Sequence, residues 1–204
     1  GTDAKTVSNI LLKIPRRYRT RVQEITLDMA ASMVKIVRTA FPGAVQVTDR
    51  FHVQQLAFEA VQELRIKYRW TAIDIENEQI SNAKQTKQIY TPEILSNGDT
   101  LKQLLARSRY VLFKSQSKWT ESQRQRAELL FEHYPLLKEA YELAQELSFI
   151  FQTTKHKGVA FTRLAKWYNK VEKSGISSFK TVVRTIQTHY HTILNFFDNR
   201  STNA

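Results

Sequence analysis

Apolar and polar positions change period along this chain, and the changes mark its elements. Two short runs of β type, Val22–Leu27 and Ala44–Thr48, each lead into an aspartate, Asp28 and Asp49. The first alternates, with Val22, Glu24 and Thr26 on one face and Gln23, Ile25 and Leu27 on the other. Between the runs, Ala30, Met33, Val34, Val37 and Phe41 recur at helical spacing, and Pro42-Gly43 punctuates the end. Strand, crossover helix and second strand predict a parallel βαβ unit of right-handed connection. Ligands of open α/β sheets bind beyond the carboxyl ends of such strands, which is where both aspartates fall and where a catalytic carboxylate belongs. Asp28 has a second reading, as the N-cap of the crossover helix.

Outside this unit the pattern is helical. Lys5 to Arg21 reads as a helix that Pro15 ends or bends, followed by a basic tail of Arg16, Arg17, Arg19 and Arg21 without an acid among them. From Gln54 an apolar face of Leu56, Ala57, Ala60, Val61, Leu64 and Tyr68 runs on, and the polar stretch from Trp70 to Thr91 reads as a helical arm. Ser96-Asn97-Gly98-Asp99 is a turn. Thr120 and Gln123 have capping-box spacing, and Pro135 opens a long helix over Leu136–Phe151. Thr153–Gly158 reads as a linker, Val159–Lys173 as an amphipathic helix and Phe179–Phe197 as one last long helix. The expected fold class is α/β but predominantly helical.

Composition narrows the class. The 204 residues hold 42% hydrophobic and 25% charged side chains, ordinary for a globular domain, and only five glycines and four prolines, which favours long helices. With no cysteine there is neither a disulfide nor a thiolate metal site, and a cytoplasmic location is the expectation. No apolar run approaches the ~20 residues of a membrane span.

Charge changes the picture more. Lys and Arg number 31 against 19 Asp and Glu, a net +12, which favours polyanionic partners through counterion release. Two stretches concentrate it. One holds Arg107, Arg109, Lys114, Lys118, Arg124 and Arg126 against Glu121 alone; the other holds Lys155, Lys157, Arg163, Lys166, Lys170 and Lys173 against Glu172 alone. Tyr110, Trp119, Phe161, Trp167 and Tyr168 interleave with them. Such a mixture suits DNA, with lysine and arginine on phosphates and aromatics open to stacking; the spacing of those aromatics also matches buried helical faces, and that reading is preferred for them. DNA-binding candidates are therefore Arg16, Arg17, Arg19, Arg50, His52, Arg65, Arg107, Arg109, Lys114, Lys118, Arg124, Lys166 and Lys170. His189 and His191, two positions apart, rotate by about 200° on a helix and make a poor chelate. Glu142 and Glu146 read as a solvated helix face.

Several of these residues also carry a likeness. Thr48-Asp49-Arg50-Phe51-His52-Val53, with Ala60 and Arg65 after it, resembles the D-R-F-H signature of bacterial insertion-sequence transposases of ISL3 type. Leu27-Asp28-Met29, Phe41-Pro42-Gly43-Ala44, Arg109-Tyr110-Val111-Leu112, Ala140-Tyr141-Glu142-Leu143 and the closing Phe197-Asp198-Asn199-Arg200-Ser201-Thr202-Asn203-Ala204 follow the same group in order, over nearly the whole chain.

That resemblance implies a ribonuclease H-like catalytic domain whose D-D-E triad holds two divalent metals. It implies Asp28 as the second aspartate and metal ligand, with Asp49 structural or supporting; the reverse assignment, Asp49 as the ligand, stays open. The first aspartate would lie on a strand before Gly1 and the glutamate just beyond Ala204. The chain is therefore expected to be a central fragment, inactive alone. Mg²⁺ or Mn²⁺ would serve the full-length enzyme, and the fragment would bind none.

The implied organisation is a partial catalytic core over residues 1–53 and a helical insertion over residues 54–204. DNA is the expected partner, at transposon ends and target, with self-association through an exposed strand edge and no membrane. Two functions are open: part of a DNA transposase that cleaves and joins DNA, or a non-enzymatic helical DNA-binding or assembly protein derived from one.

Overall fold

A computed structural model describes residues 3–201; Thr202, Asn203 and Ala204 of the closing motif lie outside the described residues. The chain divides into two compact units. One comprises residues up to Leu56 with Glu146–Lys173 and the chain from Lys180 on, the other Ala57–Gln145 with Ser174–Phe179.

In the first unit, α1 (Ala4–Leu12) is capped by Asp3, whose carboxylate accepts the Thr6 amide at 2.9 Å, and Pro15 separates it from the single turn α2 (Arg16–Arg19). Strands β1 (Glu24–Leu27) and β2 (Val45–Thr48) pair in parallel, Glu24 opposite Val45 and Leu27 opposite Thr48. The crossover helix α3 (Ala31–Ala40) lies between them in sequence and packs against α1. The α/β class, with a strand pair joined through a helix, is as expected. The buried stripe of α3 is Ile36, Val37 and Ala40, while Ala30 is exposed.

The helix starts later than an Asp28 cap would have it. Ala30 is its N-cap, without a side-chain hydrogen bond, and Asp28 instead accepts the Ala30 amide at 2.9 Å in a turn that precedes the helix. A carboxylate bonded to the residue two ahead forms an Asx turn and can do so without capping.

β2 leads directly into α4 (Arg50–Gln85), whose start belongs to this unit. The later part of α7 (Pro135–Thr153), α8 (Lys157–Ser174), most of α9 (Ser177–Thr188) and α10 (Tyr190–Asn199) complete it. The expected linker shrinks to residues 154–156. The last helix is two: His189 turns between α9 and α10 with φ −103° and ψ 17°. α10 packs on β2, and Phe151, Phe196 and Phe197 meet in a buried trio with ring centroids 5.2–5.7 Å apart.

In the second unit α4 continues to Gln85 and ends where Lys87 takes a left-handed φ of 56°. Gly98, at φ 81°, supplies the positive φ that the expected turn requires. It leads into α5 (Leu101–Arg107), which begins with a capping box of Thr100 and Gln103. Short 3₁₀ turns over Val111–Phe113 and Gln116–Lys118 follow, then α6 (Glu121–His133) behind the Thr120–Gln123 capping box. Trp119, Phe131 and Tyr141 form this unit's aromatic centre, with Tyr141 on α7 donating its hydroxyl to the Lys114 carbonyl at 2.7 Å.

Candidate active site

Parallel pairing brings the two strand-end aspartates side by side. The Asp49 amide donates to the Leu27 carbonyl at 2.9 Å, continuing the ladder one residue past β2, so Asp28 and Asp49 leave the sheet at the same end. Their surroundings differ. Asp28 is half-buried, and among the described residues its Oδ2 takes no hydrogen bond. Asp49 is 4% exposed and its Oδ1 accepts the Phe51 amide at 3.0 Å, in the first turn of α4, as a helix-starting carboxylate does. Each carboxylate thus holds the amide two residues ahead through Oδ1, and what separates the two is burial, Asp28 being the more exposed.

The same end of β2 is tied to α10. Thr48 and Thr192 stand hydroxyl to hydroxyl at 2.7 Å. Thr192 donates its only proton to the His189 carbonyl at 2.9 Å, so Thr48 is the donor of the pair. Farther along, Asn195 donates to the Gln46 carbonyl at 2.9 Å and Asn199 to the Glu24 carboxylate at 2.7 Å, one helical turn apart on one face of α10. Arg200, left-handed at φ 57°, gives its guanidinium to the carbonyls of Phe151, Gln152 and Thr154 at the end of α7. Sequence reasoning missed these anchors. The signal for them was the closing Phe-Asp-Asn-Arg run, with Asn195 one turn before Asn199.

Arg50 and His52 follow Asp49 on the first turn of α4. The Arg50 guanidinium lies 4.8 Å from the Phe51 ring centroid and 5.7 Å from that of Phe196; its Nε is buried, without a hydrogen-bond partner among the described residues. His52 is exposed.

The remaining DNA-binding candidates divide by what already holds them. In the first unit Arg16 and Arg17 are exposed, and Arg17 lies over the Tyr18 ring at 4.8 Å. Arg19 is spent on the Ile14 and Ala40 carbonyls at 2.9 and 2.6 Å. Lys166 is exposed, and Lys170 pairs with Glu146 at 2.7 Å, so Glu146 is a paired rather than a merely solvated residue.

In the second unit Arg65 is buried, 6% exposed, its guanidinium donating to the Gln62 side chain at 2.7 Å and the Leu105 carbonyl at 2.8 Å. Burial lowers its pKa, and the nearby charges of Arg109 and Arg69 add to that. Arg107 is held by the buried Asp99, with Arg126 3.6 Å from the same carboxylate. Arg109, Lys114, Lys118 and Arg124 are exposed; Lys114 donates to Gln123 at 3.3 Å and Arg124 lies 3.9 Å from Glu121. The interleaved aromatics also divide. Trp167 is fully buried, as the helical spacing anticipates, whereas Tyr110 is 69% and Phe161 53% exposed.

Divalent ions of the kind the resemblance implies need several hard oxygen ligands. Among the described residues no group of three or more His, Cys, Asp or Glu is placed to hold one. Asp28 has the donor chemistry of a single ligand, but the described residues by themselves do not fit a two-metal centre. No helix of the described residues is long and apolar enough to cross a membrane.

No curated protein and no solved structure matches the chain. A family model described as transposase matches residues 1–204, the full length. On that match, the chain belongs to the ISL3-type DDE transposase family.

Proposed function

We propose that this chain is the central part of a transposase catalytic domain that cleaves and joins DNA at insertion-sequence ends, and that Asp28 supplies one of its catalytic carboxylates. The observation that carries the reading is the parallel strand pair with Asp28, half-buried and open at one oxygen, at its carboxyl end. That is where open α/β sheets bind ligands. In this reading β1 and β2 belong to a ribonuclease H-like sheet, residues 54–204 form the helical insertion, and Asp49 steadies the start of α4 rather than binding metal. The exposed cations Arg16, Arg17, Arg109, Lys118 and Lys166 contact DNA phosphates. The free side of β1 is open to pairing with further strands or a second copy.

One aspartate does not fix Mg²⁺ or Mn²⁺ in a catalytic geometry, so the reading requires two further carboxylates besides those of the described residues, and the chain alone is inactive. A second reading, a non-enzymatic DNA-binding or assembly protein, draws on the exposed cations Arg16, Arg17, Arg109, Lys118 and Lys166 without the chemistry. A nicking and strand-transfer assay on terminal DNA with Mg²⁺ or Mn²⁺ separates the two. It compares this chain with a polypeptide that also carries the transposase segments on either side. Cutting by the longer protein alone supports the first reading; DNA binding by both without cutting supports the second.

A further inference from the structure

We infer that Phe161 and Tyr190 form a platform on which an unpaired base of a DNA end stacks, at the end of α10 that is tied to β2. The inference rests on the DNA-processing reading above and adds a contact to it. Phe161 projects from α8 off the buried stripe of Ala160, Leu164, Trp167 and Val171, and more than half of it is exposed. Its ring meets Tyr190 edge to face, centroids 5.9 Å apart and planes at 71°. Tyr168, on α8 two turns further on, backs Tyr190 at 6.5 Å and is itself set against the fully buried Trp167 at 5.6 Å. The exposed ring therefore stands on a layered aromatic base that holds it without covering it.

Its place gives it a task. Tyr190 is the first residue of α10, two before Thr192, whose hydroxyl meets that of Thr48, the residue before Asp49. The platform thus stands at the end of α10 that is tied to the carboxyl end of β2, with Tyr190, two positions from Thr192, turned to the other side of the helix toward α8. Lys157 lies one turn before Phe161, its ammonium 2.8 Å from Asp198 in an exposed pair, and His191 is exposed next to Tyr190. Duplex bases are covered by their own stack and offer no face to such a ring. An unpaired base does, and every base has a π-face, so the contact is indifferent to sequence. A strand end whose terminal base is unpaired is the DNA that this arrangement fits.

The test uses the chain itself in two forms, Phe161→Leu, which keeps an apolar side chain without a π-face, and Phe161→Trp, which restores one. Binding is measured by fluorescence anisotropy to a blunt duplex and to the same duplex with a short unpaired overhang, and circular dichroism checks the fold. Phe149→Leu, at another exposed aromatic, is the control. Phe161→Leu is expected to bind the overhang roughly five- to a hundredfold more weakly with blunt-duplex affinity unchanged. Phe161→Trp and Phe149→Leu are expected to match the parent. An unchanged ratio of the two affinities in Phe161→Leu overturns the platform and leaves the DNA-processing reading standing. Failure of the parent chain to bind either DNA overturns both.

Discussion

Thr192 meets Thr48 at 2.7 Å, hydroxyl to hydroxyl, and so fixes the amino end of α10 to the strand that precedes Asp49. A helix more than 140 residues downstream is thereby brought back to the sheet, and the two polar contacts that follow it, Asn195 to Gln46 and Asn199 to Glu24, extend the attachment along the strands. The candidate site draws on both ends of the sequence.

Arg200 is expected to be the strongest single anchor of the carboxyl end of α10, which it ties to α7. Its guanidinium serves three carbonyls at the end of α7, and charge-assisted bonds of this kind contribute about 1.5–3 kcal/mol. Arg200→Ala should lower unfolding stability by an amount in that range. Arg200→Gly should lose about 0.5–1 kcal/mol less, because glycine is at ease at φ 57° where alanine is strained. Urea denaturation of both variants decides it; equal losses would show that the backbone conformation contributes nothing.

Arg16 and Arg65 should respond in opposite ways. Arg16 is exposed and is expected to act on phosphate, so Arg16→Ala should weaken DNA binding across sequences, reduce the salt slope by about 1 and leave stability unchanged. Arg65→Ala leaves the Leu105 carbonyl and the Gln62 side chain without their donor, at a cost of about 1.5–3 kcal/mol in folding. Its DNA affinity, measured below the melting temperature, should match the parent's.

Alkaline pH should unfold the chain. Burial raises the phenol pKa of Tyr168, Tyr141 and Tyr134 above the ordinary value of 10.0. Because the folded pKa is the higher, the folded state binds more protons than the unfolded one once pH passes about 10, and stability falls as pH rises further. Below that pH the contribution is fully present. Absorbance titration should therefore show Tyr134, Tyr141 and Tyr168 ionising only with loss of helical circular dichroism. A single smooth titration with the helix signal retained would contradict this.

Much of this architecture was legible in the sequence, for reasons tied to particular residues. Alternation before Asp28, the Pro42-Gly43 break and the apolar run before Asp49 located the strand pair, and Thr120 with Gln123 located α6. Helix ends were less legible. His189 divides what reads as one helix, because apolar spacing persists across the break from Ile186 to Ile193 and only the backbone turns. Asp28 read as a cap because an Asx turn and an N-cap ask for the same residue type two positions apart. The basic residues showed the limit of charge counting. Arg19, Arg65 and Arg107 carry the same charge as Arg16 and Arg109, yet they are engaged by carbonyls or a buried carboxylate that lie 5 to 40 positions away.

The aspartates should separate in stability as well. Asp49→Ala removes the acceptor that starts α4 and should cost about 1 kcal/mol, whereas Asp49→Asn keeps an oxygen in place and should cost little. Thermal melts of the two variants test this assignment independently of any reaction.

The most direct measurement is metal-dependent DNA cutting by the complete transposase that includes this chain, comparing Asp28→Asn with Asp49→Asn. Asparagine preserves the turn at Ala30 and removes only the charge, so folding is expected to be intact in both. If Asp28 is the catalytic carboxylate, Asp28→Asn abolishes nicking and strand transfer while DNA binding persists, and Asp49→Asn retains cutting. Cutting that survives in Asp28→Asn and disappears in Asp49→Asn would contradict the account and transfer the role to Asp49.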